Sequence, residues 1–199
     1  MPNLDMFLNR CNEIYPLSEE IKAELNRIFE IVTVPRHTLL LKEGEVCQHM
    51  NMVLSGMVRV YYYVGEKEIT SRLMSEGYFI TSYISYFTQQ PGREYIEAYE
   101  NTTLARVSVK DAQAILRKFP EFNFPIRVLT EYSFFLSEER TVALRSTTAE
   151  DRFRFFMNRH PELINRVASR HIASYLGITE ETFSRVKTKV LSGKSRKTK

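Results

Sequence analysis

The sequence predicts an α+β fold in three parts: an N-terminal β-roll (a double-stranded β-helix), one long helix, and a C-terminal helix-turn-helix. Three observations carry this prediction. Short β-type runs separated by glycines fill much of the first half, a sustained helical period follows, and a tight turn near the end separates two short amphipathic stretches. We place the domain boundaries at residues 1–118, 119–146 and 147–199.

Composition is that of an ordinary globular protein, with 43% hydrophobic and 26% charged residues. The sequence has no run of 18 apolar residues and no signal-peptide pattern, so we expect a cytoplasmic protein without a membrane partner. Cys11 and Cys47 lie far apart. This spacing fits a reducing compartment and supplies neither a metal knuckle nor a disulfide framework.

Charge is distributed unevenly along the chain. Residues 150–199 contain 12 Lys and Arg against 5 Asp and Glu, whereas residues 1–149 contain 16 against 19. A basic excess confined to one segment indicates that this segment has an anionic partner, such as nucleic acid, although a solvated basic face gives the same count.

A helix is predicted over residues 18–30, with Ser18 as its N-cap. From about Ile31 the pattern changes to strands rich in β-branched and aromatic residues, punctuated at turn spacing. The punctuating glycines are Gly44, Gly56, Gly65 and Gly77. Within residues 57–62, MVRVYY, alternating residues predict a strand with one face buried and one exposed.

Helical periodicity returns at residues 109–119 and continues through a helix of about 20 residues that starts near Pro125. Its apolar residues recur in heptads, which predicts a seam that packs on its own domain or on a twin helix. We favour a dimer, with a seam formed by Leu129, Tyr132, Leu136 and Ala143. A hinge near Arg145 to Thr148 follows, with Thr148 as the cap of a short helix that breaks at Pro161.

Residues 169–190, SRHIASYLGITEETFSRVKTKV, carry the most specific pattern. Ser169 is a candidate cap for a first helix, Gly177 stands where a tight turn needs a positive φ, and Thr179 is a candidate cap for a second helix. The predicted inner positions are Ile172, Ala173, Leu176, Phe183, Val186 and Val190. An αα-hairpin inside a core is the alternative, but the polar outer face and the local basic excess favour a DNA-reading helix-turn-helix.

The order of a β-rich module, a long helix and a terminal helix-turn-helix resembles the cyclic-AMP receptor protein/FNR (Crp/Fnr) family of bacterial transcription regulators. LLLKEGE, NMVLSGMVRVYYY and EGYFI carry the resemblance in the β-roll, and IASYLGITEETFSRV carries it at the end. The resemblance implies a homodimer that reads a two-fold-related double-stranded DNA site under control of a small effector. It implies contact with RNA polymerase if the protein activates transcription.

The resemblance and the chemistry of the side chains together give expected roles in DNA binding. A carboxylate at Glu181 can accept from cytosine, and Arg185 can bind guanine. Glu180 stands where well-known members carry a third base-reading arginine, and Ser184 shares the same stripe. The expected phosphate contacts are Ser169, Arg170, Thr179, Thr182, Thr188 and Lys189. The basic tail, with Lys194, Arg196, Lys197 and Lys199, is expected either near phosphates or as an aid to solubility.

An effector pocket is expected over residues 79–98, FITSYISYFTQQPGREYIEA. Ile80 and Thr81 replace the glycine and glutamate with which family members bind cyclic nucleotides, so cyclic AMP binding of the usual kind and a cofactor are not expected. The candidate pocket residues are Ile80, Thr81, Tyr83, Arg93, Glu94 and Tyr95, and Tyr86 and Phe87 complete a predicted aromatic canopy.

Other function classes receive less support. The sequence lacks H-x-H, G-x-S-x-G, a P-loop and a dinucleotide fingerprint, so we do not expect an enzyme. Two separated cysteines do not supply an iron–sulfur cluster. A haem site stays open because four histidines exist, at positions 37, 49, 160 and 171. The runner-up interpretation is a sensor or adaptor that binds an effector on a β-roll and does not bind DNA.

Overall fold

The protein, described by a computed structural model over residues 3–146 and 148–195, has the predicted α+β fold. Its α-helices are α1 (Asp5–Ile14), α2 (Glu19–Ile28), α3 (Tyr83–Thr88), α4 (Val109–Lys118), α5 (Asn123–Ser146), α6 (Ala149–Arg159), α7 (Ser169–Tyr175) and α8 (Glu180–Ser195). Its strands are β1 (Glu30–Val34), β2 (Leu39–Leu41), β3 (His49–Ser55), β4 (Val58–Val64), β5 (Lys67–Met74), β6 (Phe79–Ile80), β7 (Tyr95–Ala98) and β8 (Thr102–Ser108). No helix within these described residues is long and apolar enough to cross a membrane.

The strands form two four-stranded sheets, in the orders β1-β8-β3-β6 and β2-β7-β4-β5. Neighbouring strands run antiparallel in the pairs β1/β8, β3/β8, β3/β6, β2/β7 and β4/β7. An apolar cluster that includes Val53, Val60, Ile80, Ile96 and Leu104 fills the β-roll. This two-sheet arrangement is the predicted β-roll.

The turn between β3 and β4 shows why the punctuating glycines matter. Gly56 has a φ of 91°, and a Cβ atom there would lie 2.5 Å from the carbonyl oxygen of Asn101. Only glycine combines a positive φ with so close an approach of two backbones. The spacing of glycines therefore located the turns correctly.

The prediction of a half-exposed strand within residues 57–62 was wrong. Val58 and Val60 are buried as expected, but Arg59 and Tyr61 on the other face are also buried. Arg59 is covered because its guanidinium pairs with Glu97 on β7 and lies 4.2 Å from the centroid of the Tyr61 ring. The alternation in sequence did not reveal that this second face of β4 is also buried, because arginine usually indicates a solvent-facing position.

The chain divides into two compact units, Met1–Tyr63 with Arg72–Tyr132, and Val64–Ser71 with Ser133–Lys199. Helix α5 is continuous from Asn123 to Ser146 and therefore runs through both segments. The boundaries predicted from sequence stay a prediction. Thr147 in the predicted hinge, and the tail residues Arg196, Lys197 and Lys199, lie outside the described residues.

Helix α5 uses part of its predicted dimer seam within the chain. Leu129 packs against the apolar cluster of α1, α2 and α4, and Ala143 is buried in the second unit. Tyr132, Phe135 and Val142 are instead 45%, 52% and 60% exposed. The exposed apolar stripe is thus displaced by one position from the heptad of Leu129, Leu136 and Ala143, because that heptad supports the protein's own core.

Candidate nucleic-acid interface and effector pocket

The turn between α7 and α8 is built as the sequence predicts. Gly177 has a φ of 64°, its N–H donates to Ser174 at 3.1 Å, and the N–H of Ile178 donates to the Ala173 carbonyl at 3.0 Å. Ala173 is buried where the two helices approach each other. The first cap prediction needs a correction, since Ala168 is the N-cap of α7 and Ser169 is the first helical residue.

Arginines from neighbouring helices of the second unit hold this turn. Arg152 of α6 donates from Nη1 to the carbonyl of Leu176 at 3.2 Å. Arg140 of α5 donates to the carbonyl of Tyr175 at 3.2 Å, and its guanidinium lies 4.2 Å from the centre of the Tyr175 ring. These bonds satisfy carbonyls at the end of α7 that helix geometry leaves open. Sequence analysis missed both arginines, because only contacts with distant carbonyls distinguish them from surface charges.

Apolar packing fixes the inner face of α8. Phe183, Val186 and Val190 are buried, and the ring of Phe183 meets that of Phe153 edge-on at 5.6 Å. The opposite face is therefore turned outward with little freedom for the helix to rotate. A rigid element of this kind suits recognition better than a loop does.

The start of α8 confirms Thr179 as its cap. The Thr179 Oγ1 atom accepts from the N–H of Thr182 at 3.2 Å and donates to the Thr182 Oγ1 at 2.9 Å. Both threonines had been assigned to phosphate contacts. Their hydroxyls are engaged with each other in this structure, and the assignment stays a prediction.

The outer face of α8 carries a stripe of exposed polar side chains. Its members are Glu180, Glu181, Ser184, Arg185, Thr188 and Lys189. Within the described part of the chain, Glu181 and Arg185 form no ion pair, although they lie four residues apart on the same face of the helix. An exposed pair of this spacing is worth only about 0.3–0.5 kcal/mol, which is small beside the entropy of two long side chains.

Two of the predicted phosphate contacts, Lys189 and Arg170, have charged or aromatic side chains as neighbours. The Lys189 Nζ lies 2.6 Å from Glu150 Oε2, and Arg154 also pairs with Glu150. Hydrogen bonds from Lys189 and then Arg154 lower the pKa of Glu150. Arg170 is exposed and donates from Nε to His171 Nε2 at 3.2 Å, next to the half-buried Ser169.

The segment Val64–Ser71 contacts α7 within the second unit. The backbone N–H of Thr70 donates to Ser174 Oγ at 2.9 Å, and Ser174 Oγ donates to the Glu68 carbonyl at 3.3 Å. No pattern in the sequence indicates this contact, since it joins residues about a hundred positions apart. Residues 68 and 70 contribute only backbone groups to this contact, so it does not depend on their side chains.

A hydrogen-bonded charge cluster lies in the region of the predicted effector pocket. Arg72 Nη2 donates to both carboxylate oxygens of Glu94 at 3.0 Å, and Ser82 Oγ donates to Glu94 Oε2 at 2.6 Å. The Arg72 guanidinium lies 5.2 Å from the centroid of the Tyr83 ring. Sequence analysis missed Arg72 because it precedes the expected motif, and it missed Ser82 because a serine within the motif has no diagnostic spacing.

Gly92 allows the segment before β7 to approach α3. A Cβ atom at Gly92 would lie 3.1 Å from Ser85 Cβ and 3.4 Å from Ser82 Oγ. Ser85 ties the same region together, since its Oγ accepts from the Cys47 N–H at 2.9 Å and donates to the Gln90 carbonyl at 2.6 Å. This close approach brings Glu94 within reach of Ser82.

The remaining predicted pocket residues have different surroundings. Ile80 is fully buried in the apolar cluster of the roll, and the buried Thr81 donates its hydroxyl to the His49 carbonyl at 3.1 Å. Arg93 is exposed, with its guanidinium 5.7 Å from the Tyr62 ring centroid.

The predicted aromatic canopy is split into two groups. Tyr83 and Phe87 stack with centroids 6.4 Å apart, and Tyr86 meets Phe87 edge-on. Tyr95 instead stacks on Tyr61 at 5.0 Å. Alternation along β7 explains this, because Tyr95 and Ile96 face opposite sides of the sheet.

A second charge cluster lies on the Tyr61 face of β4. Arg59 Nη2 donates to Glu97 Oε2 at 2.9 Å, and His37 Nδ1 lies 2.6 Å from Glu97 Oε1. Burial alone would raise the pKa of Glu97, but the hydrogen bonds from His37 and Arg59 outweigh it and hold that pKa below its ordinary value. Glu97 is therefore a carboxylate at neutral pH.

Comparison with known proteins agrees with this architecture. Residues 31–119 match the family described as the cyclic nucleotide-binding domain. A search of curated protein sequences found no significant match. Among solved structures, FixK2 from Bradyrhizobium japonicum has a TM-score of 0.72 at 17% identity, covering 83% of this chain and 86% of that chain.

Two further structures resemble most of the chain. The regulator CLP of Xanthomonas campestris, described as responsive to c-di-GMP, has a TM-score of 0.68 at 15% identity and covers 88% of this chain and 93% of its own. The Catabolite Activator Protein of Thermus thermophilus has a TM-score of 0.55 at 19% identity, with 92% and 87% covered.

The chain therefore combines a β-roll that matches the cyclic nucleotide-binding domain family with a long helix and a terminal helix pair. The chain shares the fold of these solved structures, and the predicted resemblance to the cyclic-AMP receptor protein/FNR family is confirmed as a resemblance of fold.

Proposed function

We propose that this protein is a cytoplasmic transcription regulator that binds double-stranded DNA as a homodimer and reads sequence with α8. One observation carries the proposal: Glu181, Ser184 and Arg185 form an exposed stripe on a helix whose other face is locked into an apolar core. Because Glu181 and Arg185 form no ion pair within the described residues, their hydrogen-bonding groups are available to base edges.

Homodimerisation is supported by the exposed apolar stripe of α5. Tyr132, Phe135 and Val142 recur at spacings of three and seven residues, and the half-buried Val128 continues this heptad pattern toward the start of the helix. Two copies of such a stripe would bury each other, and a two-fold dimer would place two α8 helices on half-sites about one helical turn apart. RNA polymerase would be a further partner if the bound protein activates transcription.

The alternative function is a β-roll sensor or adaptor that does not bind DNA. It is favoured only by the match of residues 31–119 to the cyclic nucleotide-binding domain, which concerns the roll and not the helix pair. The exposed stripe of α8 has no role under that alternative. We do not propose an enzymatic activity or a cofactor.

Selection of bound sites from random double-stranded DNA tests the proposal. We expect an enriched two-fold motif whose half-sites are separated by about one helical turn. Sedimentation of the protein alone, compared with a Tyr132→Glu/Val142→Glu variant, tests the dimer through the loss of association. Absence of any enriched motif from a protein shown to be dimeric would contradict DNA reading, and a monomer at working concentration would contradict the dimer.

A further inference from the structure

The roll contains two largely buried arginines, and each has a resident carboxylate. The side chains of Arg59 and Glu97 are 5% and 11% exposed, and those of Arg72 and Glu94 are 16% and 22% exposed. A buried charge requires a counter-charge, since the cost of removing it from water is otherwise several kcal/mol. The two pairs differ in what surrounds them.

In the Arg72 pair, the carboxylate of Glu94 is held in the way that proteins hold a bound anion. The carboxylate of Glu94 accepts from a guanidinium through both oxygens and from the hydroxyl of Ser82, which is itself 1% exposed. Guanidinium and hydroxyl donors converging on oxygen atoms are the usual means of holding a phosphate or carboxylate ligand. The cluster also lies within residues 31–119, the region that matches a domain named for binding cyclic nucleotides, whose phosphodiester is an anion.

We propose that Glu94 is a resident counter-ion that occupies an anion subsite formed by Arg72 and Ser82. In the wild-type protein, a phosphate entering this subsite would bring a second negative charge next to Glu94, so phosphate ligands are excluded. Without the charge of Glu94, Arg72 would be a largely buried cation without a counter-charge. Such a cation would favour the binding of an anionic ligand. The ligand class of the opened subsite is a small phosphate or a cyclic phosphodiester.

The proposal rests on the interpretation of the roll as an effector pocket, but it concerns ligand binding without DNA. Titration calorimetry of the full chain with cyclic AMP, and separately with inorganic phosphate, tests it. We expect no measurable binding by the wild type at millimolar ligand, and a gain of about tenfold or more in affinity for Glu94→Gln, as is typical for a charge-assisted hydrogen bond. A gain for cyclic AMP alone would indicate a nucleotide pocket, and a gain for both would indicate a bare anion subsite.

Two variants isolate the cause of the gain. Glu97→Gln removes the same charge from the other buried pair and should not gain affinity. Adding Arg72→Met to Glu94→Gln removes the cation and should abolish the gain. Circular dichroism establishes that each variant is folded, and Glu94→Ser replaces Glu94→Gln if the latter does not fold.

Three outcomes would overturn the proposal. These are binding of phosphate ligands by the wild type as tightly as by Glu94→Gln, no gain in affinity in the folded Glu94 variants, and an equal gain in Glu97→Gln. None of these results bears on DNA reading, because the titrations contain no DNA. Failure of DNA-site selection would in turn leave the anion subsite intact.

Discussion

Arginine and glutamate are combined in two regions of this protein with opposite results. On α8, Glu181 and Arg185 are exposed and form no ion pair within the described residues. In the β-roll, Arg59 pairs with Glu97 and Arg72 with Glu94, and all four side chains are largely buried. The residue types are the same, so the surroundings decide what they do.

The surroundings act through the cost of removing charge from water. In the roll, an arginine without its carboxylate would be an uncompensated buried charge. The free-energy cost of that charge keeps the arginine and the carboxylate paired. On α8 both side chains remain hydrated, and pairing would add less than about 0.5 kcal/mol. The two buried pairs therefore support the fold, whereas the exposed Glu181 and Arg185 remain available to a partner.

The largest effect should come from breaking the pair of Arg59 and Glu97. Arg59→Met leaves Glu97 buried on β7 without its arginine partner, and such a loss typically costs about 3–5 kcal/mol. Urea unfolding followed by circular dichroism measures the free energy of unfolding. His37 still contacts Glu97, so we expect the lower end of this range.

The double variant Arg59→Met/Glu97→Leu is the control for that experiment. Because it removes both charges, it should recover much of the lost stability, as apolar replacement of buried pairs generally does. If the double variant is as unstable as Arg59→Met, contact of the guanidinium with the Tyr61 ring, rather than its pair with Glu97, explains the loss.

The next effect concerns α8 and should leave stability unchanged. Arg185→Ala removes an exposed side chain that has no ion-pair partner among the described residues, so unfolding should shift by less than about 0.5 kcal/mol. Binding to the selected DNA site should weaken by about 1–3 kcal/mol, with a relaxed preference at one guanine. Fluorescence anisotropy on the site and on single-base variants measures both.

Lys189→Ala is the matched comparison on the same helix. If Lys189 contacts a phosphate, its loss should weaken binding to all sequences. The number of counterions released on binding, read from the salt dependence of the affinity, should fall by about one. If Arg185→Ala behaves in the same way, Arg185 contacts phosphate and reads no base.

A smaller effect distinguishes the two glycines of the helix pair. Gly177→Ala places a side chain at a φ of 64°, which should cost about 1–2 kcal/mol although a Cβ atom would meet only Arg152 Nη1 at 3.5 Å. Gly193→Ala lies within α8 with open space around it, and helix propensity predicts a gain of up to about 1 kcal/mol. Thermal unfolding measures both changes in stability. If both substitutions raise or both lower the melting temperature, the turn does not require glycine at position 177.

Much of this architecture follows from local sequence rules. Turn glycines such as Gly56 and the caps at Thr148 and Thr179 depend on neighbouring residues, and each was located from sequence. The polar stripe of α8 was likewise visible as a spacing. Local chemistry was enough because these features are satisfied within one turn of chain.

Other features were hidden because they depend on residues far apart in sequence. Arg72 and Glu94 are 22 positions apart, and Arg140 meets the Tyr175 carbonyl across 35. No periodicity marks such pairs, so Arg72 and Ser82 were missing from the predicted pocket. The heptad of α5 shows the same limit: sequence found an apolar stripe but did not reveal that Ala143 is buried within the chain.

The smallest effect depends on pH and concerns His160 at the end of α6. Burial lowers the pKa of His160, the charges of Arg159 and Arg140 lower it further, and Glu162 opposes them. The folded protein therefore binds a proton at His160 less readily than the unfolded chain does. The stability contributed by the neutral ring is present above the unfolded pKa of about 6.5 and is lost as the pH falls through the lower folded value.

Replacing His160 with glutamine should remove that part of the pH dependence. Wild type and His160→Gln are compared by urea unfolding at pH 8, 7, 6 and 5, and the difference between them isolates His160 from the other groups that titrate. The wild type should lose stability relative to the variant only below about pH 6.5, because both side chains are neutral above it. Parallel curves over the whole range would mean that the ring is equally protonated in the folded and unfolded chains, and that the buried end of α6 tolerates charge as readily as the surface of α8 does.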